Sequence, residues 1–269
     1  MTKALLYLCA FAAIQIFIPM AVLASWLAAT GESTDNILLI INGSKQYAAP
    51  ASQLVLSSAI CNVIILVLFI WRRWAVLSPA YLRMRKWGIF FWSATAAIGT
   101  MLPSIWLSEQ LPPLPDTSGK VLMSIVNHDY GYFVLGLLAP FVEETVFRGA
   151  ILKSLLSCMK SHWAAISVSA VIFTVIHVNP AQMPHALIMG ILFGWLYYRT
   201  GSILPGVAIH WINNTITFVF CRLLSSMHDT TLTEFFNGDQ KRVVLSIVFS
   251  LFILIPSIYQ ISIRTSGNR

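Results

Sequence analysis

The sequence predicts an all-α, polytopic integral membrane protein with about eight transmembrane helices, forming a single integral membrane domain over residues 1–269. Composition is the first observation: 57% of the residues are hydrophobic and only 10% are charged, whereas soluble domains carry about 25% charged residues. The second is a mean hydropathy of +0.76. The third is the repeated occurrence of apolar runs of about 20 residues, the length that crosses the hydrocarbon of a bilayer.

Eight segments are apolar enough to be interpreted as spans. They lie at about 4–29, 52–71, 87–107, 130–156, 162–178, 184–199, 203–224 and 243–263. The first is too long for a signal peptide and no clear cleavage site follows it, so we expect it to be retained. The fifth and sixth are short, and Asn179-Pro180 between them predicts an interrupted segment. Gly190 and Gly194 form a GxxxG pattern that predicts a helix-packing face.

Basic residues indicate the orientation. With the N-terminus inside, eleven of the seventeen Lys and Arg residues lie on the cytoplasmic side, as the positive-inside rule predicts. Five of them form one cluster, Arg72, Arg73, Arg83, Arg85 and Lys86. We expect a bacterial inner (plasma) membrane protein with cytoplasmic N- and C-termini. Topology and contact with the lipid bilayer account for the net charge of +7, so no nucleic-acid partner is expected.

A proline-containing loop at 108–129 separates two groups of spans. Pro112, Pro113 and Pro115 favour extended backbone, as in a surface linker. Residues 1–110 are therefore interpreted as accessory N-terminal spans and residues 125–225 as the functional core, with 243–263 as the last span. The core contains all of the unusual polar residues of the apolar segments.

Adjacent acids in the fourth span form the first motif. Glu144 and Arg148 are four residues apart and share a helix face, which predicts an ion pair. Glu143 points about 100° away and is a candidate base facing a cavity. Pro140 is expected to kink the span just before the acids. A buried ion-pair network that only fixes helix packing remains an alternative for this segment.

Histidines in two later spans complete the set. His177 follows Phe173 by one helical turn, so the ring of Phe173 can form a wall beside the imidazole. His210 and Asn214 again share a helix face, and both side chains can donate to an oxyanion. Hydrogen-bonded core positions are the alternative interpretation of these residues. His185, at the start of the sixth span, is interpreted as a core or interface residue.

Ionisable groups in hydrocarbon are unfavourable by about 2.5–3.5 kcal/mol each, so two acids and two histidines on separate spans predict a common functional site. A carboxylate in a cavity of low dielectric constant favours its protonated form, which suits it to take a proton from water. No serine or cysteine within the set is an evident nucleophile. A zinc site made by Glu143, His177 and His210 is the rival chemistry, although the HExxH spacing is absent; we expect no cofactor.

The three patterns Glu143-Glu144-x-x-x-Arg148, Phe173-x-x-x-His177 and His210-x-x-x-Asn214 resemble the three motifs of the CPBP family, the CAAX-protease and bacteriocin-processing membrane endopeptidases. This resemblance implies an active site within a helical bundle, and a peptide or membrane-protein substrate that a hydrolase cleaves. It also implies that Glu143, His177, His210 and Asn214 are catalytic. Glu144, Arg148 and Phe173 would support them.

Two further functions remain as alternatives to an intramembrane endopeptidase. One is a non-catalytic CPBP-like scaffold or bacteriocin-immunity protein, which would have no need of Glu143 and both histidines together. The other is a proton-coupled transporter. Many transporters contain internal repeats, and the absence of a visible repeat in this sequence argues against that function.

Overall fold

A computed structural model of the chain describes residues 2–75, 87–223 and 230–266. Within these ranges the chain forms helices joined by turns and contains no strand, which confirms the predicted all-α class. In chain order the helices are α1 (Thr2–Ala29), α2 (Thr34–Ile41), α3 (Ala51–Trp71), α4 (Trp87–Glu109), α5 (Gly119–Val126), α6 (the consecutive segments Phe133–Leu138, Ala139–Val146, Phe147–Leu152 and Lys153–Cys158), α7 (His162–Val175), α8 (Met183–Thr200), α9 (Leu204–Leu223), α10 (Leu232–Phe235) and α11 (Gln240–Thr265).

Four helices of the described ranges, α1, α3, α4 and α11, are long and apolar enough to cross a membrane. They correspond to the first three predicted spans and the last one, and the chain is an integral membrane protein. The other four predicted spans correspond to α6–α9, which do not meet the same criterion of length and apolarity. Helix α7 has 14 residues and is only about 21 Å long, and α6–α9 carry the polar motifs. The count of eight spans is therefore not confirmed.

The acids of the first motif lie on an irregular helix. In α6 the α-helical segment Ala139–Val146 is preceded by the π-helical segment Phe133–Leu138 and followed by the π-helical segment Phe147–Leu152. Pro140 lacks the N–H that would bond the carbonyl of Gly136, and the wider π spacing occurs at this point instead of a regular α-helix. Short π segments are rare in proteins, and many of those that occur lie at functional sites. The kink at Pro140 stays a prediction, and the observed irregularity on either side of the acids is π-helix.

Close packing of α7 on α8 follows from small residues. A Cβ on Gly190 would lie 3.1 Å from Cα of Ala170, and one on Gly194 would lie 3.0 Å from a methyl group of Ile166. The predicted helix-packing role of this GxxxG pair is confirmed. Helix α8 ends at Gly201, whose φ of +66° requires the left-handed conformation.

The main apolar core lies around α6. Val146, Phe147 and Ile151 of that helix are fully buried together with Ile166 of α7 and Leu196 of α8. The polar motifs thus lie on the best-packed part of the molecule. Of the basic residues that predicted the orientation, Arg83, Arg85, Lys86 and Arg269 lie outside the described ranges.

Candidate active site

A fully buried ion pair joins Glu144 and Arg148, as their spacing predicts. Nη1 of Arg148 lies 2.9 Å from Oε1 of Glu144, and both residues are completely buried. Arg148 also donates from Nη2 to the carbonyl of Gly190 on α8 at 3.1 Å. Its guanidinium carbon lies 4.5 Å and 4.9 Å from the ring centroids of Phe173 and Phe193. The charge is therefore compensated by one acid, one carbonyl and two aromatic faces.

The second oxygen of Glu144 lies against the backbone of α9. Oε2 is buried and makes no hydrogen bond, and a Cβ on Gly206 would lie only 2.7 Å from it. Because Oε1 is held by Arg148 and His210, this carboxylate cannot simply move aside. A glycine is required here by the close approach of the acid.

Gly206→Ala is therefore expected to destabilise the protein by about 1–3 kcal/mol, the range for overpacking of a filled core. Thermal unfolding in detergent would measure the loss. Gly194→Ala is the matched control, because its Cβ would meet apolar side-chain atoms, of Ile166 at 3.0 Å and of Leu152 at 3.5 Å; its loss should be smaller. Equal unfolding midpoints for Gly206→Ala and the wild type would contradict this account.

His210 on α9 lies between the two acids of α6. Its Nδ1 is 3.3 Å from Oε1 of Glu144, and its Nε2 is 3.7 Å from Oε2 of Glu143. A carboxylate oxygen accepts, so Nδ1 is the donor to Glu144 and Nε2 faces Glu143. The imidazole stacks on Phe193 at 5.0 Å and meets Phe173 edge-on at 5.9 Å. One histidine thus contacts both glutamates.

Glu143 faces the cavity, as predicted. Its side chain is 22% exposed, in contrast to the completely buried Glu144. Its Oε2 has no hydrogen-bond partner. The separation of 3.7 Å from His210 exceeds that of a direct hydrogen bond. The carboxylate therefore borders the cavity, while Oε2 itself is buried beside His210.

His177 lies just beyond the last residue of α7. Its Nδ1 is 2.7 Å from the carbonyl oxygen of Phe173, and because a carbonyl only accepts, Nδ1 carries the hydrogen. The ring of Phe173 meets the imidazole edge-on at 4.9 Å, so Phe173 does form the predicted wall. Nε2 of His177 is left for other partners.

One cavity of about 720 Å³ brings these groups together. Its lining includes Glu143, His177, His210 and Asn214, which the sequence placed on three separate stretches. The sequence predicts His177 as the histidine that acts with Glu143 on the water, and His210 as the partner of Asn214 at the oxyanion; the structure differs in one respect. The histidine within 4 Å of Glu143 is His210, and no ion pair within the described residues joins Glu143 to His177.

Asn214 is oriented by neighbours on two sides. Its Nδ2 donates to the carbonyl of Leu135 in the first π segment at 3.0 Å, and its Oδ1 accepts from Nδ2 of Asn213 at 3.3 Å. An amide nitrogen carries two hydrogens, and Leu135 takes one of them. The other is available to an oxygen atom in the cavity.

Backbone strain marks the turn that follows His177. Val178 has a φ of +51°, which is unfavourable for a β-branched residue. The next residue, Asn179, is completely buried, and its Nδ2 lies 2.8 Å from both Asp116 and Ser118. Thr117 bonds to the backbone of Val178 and to the side chain of Asn179. The proline-containing loop, expected to be a linker, is thus fastened to the turn behind His177.

Val178→Asn is expected to stabilise the protein by about 1 kcal/mol, because asparagine tolerates the left-handed conformation that costs other residues about 1–2 kcal/mol. Little packing is lost, since Val178 is 74% exposed. Thermal unfolding in detergent checks the gain. Val178→Ala retains a Cβ and serves as the control; a gain as large as that of asparagine would show that strain is not the cause.

A metal site does not fit the arrangement. Among residues 2–75, 87–223 and 230–266, no three His, Cys, Asp or Glu side chains converge closely enough to hold a metal ion. Glu143, His177 and His210 share a cavity without forming such a group. The chemistry below is therefore derived from these side chains and water.

Comparison with known proteins identifies the region that contains the site. The model of the Rce1-like family, described as type II CAAX prenyl endopeptidase Rce1-like, matches residues 129–216, which contain all three motifs. This region is therefore similar to proteases of the CPBP family. A curated relative, the membrane-embedded CAAX protease MroQ of Staphylococcus aureus (strain USA300), is 24% identical over 128 residues, covering 46% of this chain and 51% of the relative. The chain thus spans about half the length of that relative. No solved structure gives a significant match.

Two cavity residues outside the CPBP motifs were missed by sequence reasoning. His185 on α8 and Asn213 on α9 line the same cavity, and Nε2 of His185 is 3.1 Å from Oδ1 of Asn213. Asn213 follows His210 by three residues and so shares its helix face, a signal that could have identified it. No sequence pattern marked His185, because its partners come from other helices.

Proposed function

We propose that this protein is an intramembrane endopeptidase that hydrolyses a peptide bond by water attack. One observation carries the proposal: Glu143, His177, His210 and Asn214 line one cavity within the CPBP segment. Residues 125–225 would be the catalytic core, supported by 1–110 and 243–263. CAAX-type proteins or other membrane peptides are the substrate class that the similarity to the Rce1-like family and to MroQ supports.

Glu143 is the proposed general base. The partly exposed carboxylate lines the cavity with Oε2 3.7 Å from Nε2 of His210, so we place the attacking water at this carboxylate, beside His210. The carboxylate takes a proton from this water, and the oxygen attacks the scissile carbonyl carbon. The carbonyl π electrons move to its oxygen, which becomes an oxyanion. Proton removal by a positioned base contributes about 10²–10⁴-fold to a rate.

Asn214 and His177 are proposed to act on the substrate side. The free N–H of Asn214 donates to the oxyanion, and preorganised donors of this kind stabilise the tetrahedral intermediate. His177, with hydrogen on Nδ1, presents Nε2 to orient the water or to share its proton. The intermediate then collapses as the C–N bond breaks, and Glu143 returns its proton to the departing amine nitrogen.

Glu144 and Arg148 are proposed to position the base and its partner. Glu144 accepts from Nδ1 of His210 at 3.3 Å, which directs Nε2 towards Glu143. Arg148 compensates the charge of Glu144. Neither side chain of this pair appears in the cavity lining, so the pair acts through His210.

Comparative peptidomics of membranes tests this function. Membranes containing the wild type, Glu143→Gln or no protein are incubated and their released peptides compared. We expect peptides specific to the wild type, still produced with a metal chelator present. Identical peptide profiles in all three membranes would instead favour the non-catalytic scaffold or immunity protein, and loss of cleavage with chelator would favour the metal mechanism.

The bacterial inner membrane with cytoplasmic termini is the proposed location. Its support is the bias of lysine and arginine residues. A fluorescent protein fused after Arg269 should fold and fluoresce in the cytoplasm, whereas alkaline phosphatase fused at the same point should be inactive. The reverse result would overturn the orientation.

A further inference from the structure

A chain of side-chain hydrogen bonds runs along the cavity and joins four helices. Oγ of Ser104 on α4 lies 2.7 Å from Nδ1 of His185 on α8, whose Nε2 is 3.1 Å from Oδ1 of Asn213 on α9. Nδ2 of Asn213 donates to Oδ1 of Asn214 at 3.3 Å, and Nδ2 of Asn214 donates to the carbonyl of Leu135 on α6 at 3.0 Å. His185, Asn213 and Asn214 all line the cavity.

The hydrogen bonds of this chain all run in one donor-to-acceptor direction, because the carbonyl of Leu135 at its end can only accept a hydrogen. The carbonyl of Leu135 requires the nitrogen of Asn214, which turns Oδ1 of Asn214 towards Asn213. Asn213 must then donate, and its own oxygen faces His185. His185 must therefore carry a hydrogen on Nε2. If any one member reversed, Asn214 would present its oxygen to the carbonyl of Leu135, and two acceptors would face each other.

Ser104 keeps that hydrogen on Nε2 of His185 in both protonation states. In the neutral ring Nδ1 accepts from the hydroxyl of Ser104. In the charged ring Nδ1 donates to Oγ, and the hydroxyl donates to the carbonyl of Met101, which lies 2.8 Å away. Either arrangement leaves Nε2 as a donor to Asn213. The direction of the chain is thus independent of the charge on His185.

We propose that His185 is a positioning residue for the reaction, acting through Asn213 to hold the amide nitrogen of Asn214 towards the oxyanion. This inference rests on the proposed function, because only a developing negative charge makes the orientation of that amide matter. With the chain intact, Asn214 has one N–H for Leu135 and one for the substrate oxygen. With the chain reversed, its oxygen would repel the intermediate.

Asn213→Asp is the sharpest test because it keeps the shape of the side chain. One carboxylate oxygen still accepts from His185, but the other cannot donate to Asn214. The substrate is an internally quenched peptide that copies the main cleavage junction found in the membrane peptidomics. Removing one oxyanion donor lowers kcat by about 10²–10³-fold. The Asn213→Asp change disorders the donor on Asn214 without removing it, so we expect kcat to fall by at least about tenfold. KM should change little.

His185 is tested with two variants that differ in donor capacity. His185→Ala removes the hydrogen and is expected to lower kcat, whereas His185→Gln retains an amide donor and should restore part of the loss. A packing role alone would not separate kcat from KM in this way. Thr95→Val is the matched control, since it removes another bond of α4, the 2.8 Å contact of Thr95 with Ser257 on α11, outside the cavity; its kcat should equal that of the wild type.

The outcomes separate this inference from the proposed function. Wild-type kcat in Asn213→Asp or His185→Ala, with Glu143→Gln inactive, would overturn the positioning role and leave the peptidase standing. Wild-type cleavage by Glu143→Gln would overturn the peptidase mechanism, and the positioning role with it. If Asn213→Asp does not fold, the kcat values of His185→Ala and His185→Gln test the positioning role instead. Equal kcat values in those two variants would count against the proposal.

Discussion

Glu143→Gln is expected to lower kcat/KM by about 10²–10⁴-fold, the contribution of a general base. Glutamine has the size of glutamate but cannot take a proton from water at neutral pH. Stability should be retained, because Oε2 of Glu143 makes no hydrogen bond and an amide is easier to bury than an unpaired carboxylate. Purified protein in detergent, assayed with a quenched peptide and by thermal unfolding, measures both quantities.

Glu32→Gln is the control for that experiment. Glu32 precedes α2 and accepts from Asn36 within its own turn, remote in sequence from the motifs. Its variant should cleave at the wild-type rate. A Glu143→Gln protein that folds and cleaves as well as the Glu32→Gln variant would contradict the assignment of Glu143 as the general base.

Arg148→Ala is expected to have the largest effect on stability, a loss of about 3–5 kcal/mol in the free energy of unfolding. The change leaves Glu144 as an uncompensated charge in a completely buried position. It also removes the contacts of the guanidinium with Phe173 and Phe193. The midpoint of thermal unfolding in detergent should fall by about 10 °C. Activity should fall as well, because His210 would lose its fixed partner.

Two comparisons show whether burial of the charge is the cause. The pair formed by Arg242 and Asp239 is exposed, with side chains 65% and 42% accessible, so Arg242→Ala should cost less than about 1 kcal/mol. The double variant Glu144→Gln, Arg148→Met removes both charges and should be more stable than Arg148→Ala. Midpoints for Arg148→Ala and Arg242→Ala that do not differ would contradict this interpretation.

Spacing along one helix allowed the local part of the site to be predicted. Glu144 with Arg148, and Phe173 with His177, are each four residues apart, and helical geometry alone places such side chains together. The same geometry turns Glu143 away from Glu144, and the structure shows one acid in the cavity and the other buried. Contacts between helices were beyond this reasoning. Nothing local to His210 indicates that its imidazole lies between the two glutamates, or that His185 bonds to Ser104 and Asn213.

Hydropathy predicted the four spans that match α1, α3, α4 and α11, and the other four stay predictions. An apolar segment can be buried in a protein core or in lipid, and composition alone does not separate the two. The left-handed Val178 likewise depends on tertiary contacts, since asparagine, threonine and aspartate from distant positions hold the turn behind His177.

The sequence by itself determined that this is an all-α membrane protein, that residues 143–214 carry three motifs resembling those of the CPBP family, and which side chains share a helix face. Only the tertiary structure decided which of those faces meet: His210 rather than His177 against Glu143, Gly206 against Glu144, and a hydrogen-bond chain from Ser104 to Leu135. The physical reason is that helical periodicity relates residues within one turn, whereas the packing of one helix on another depends on the complementary shapes of both.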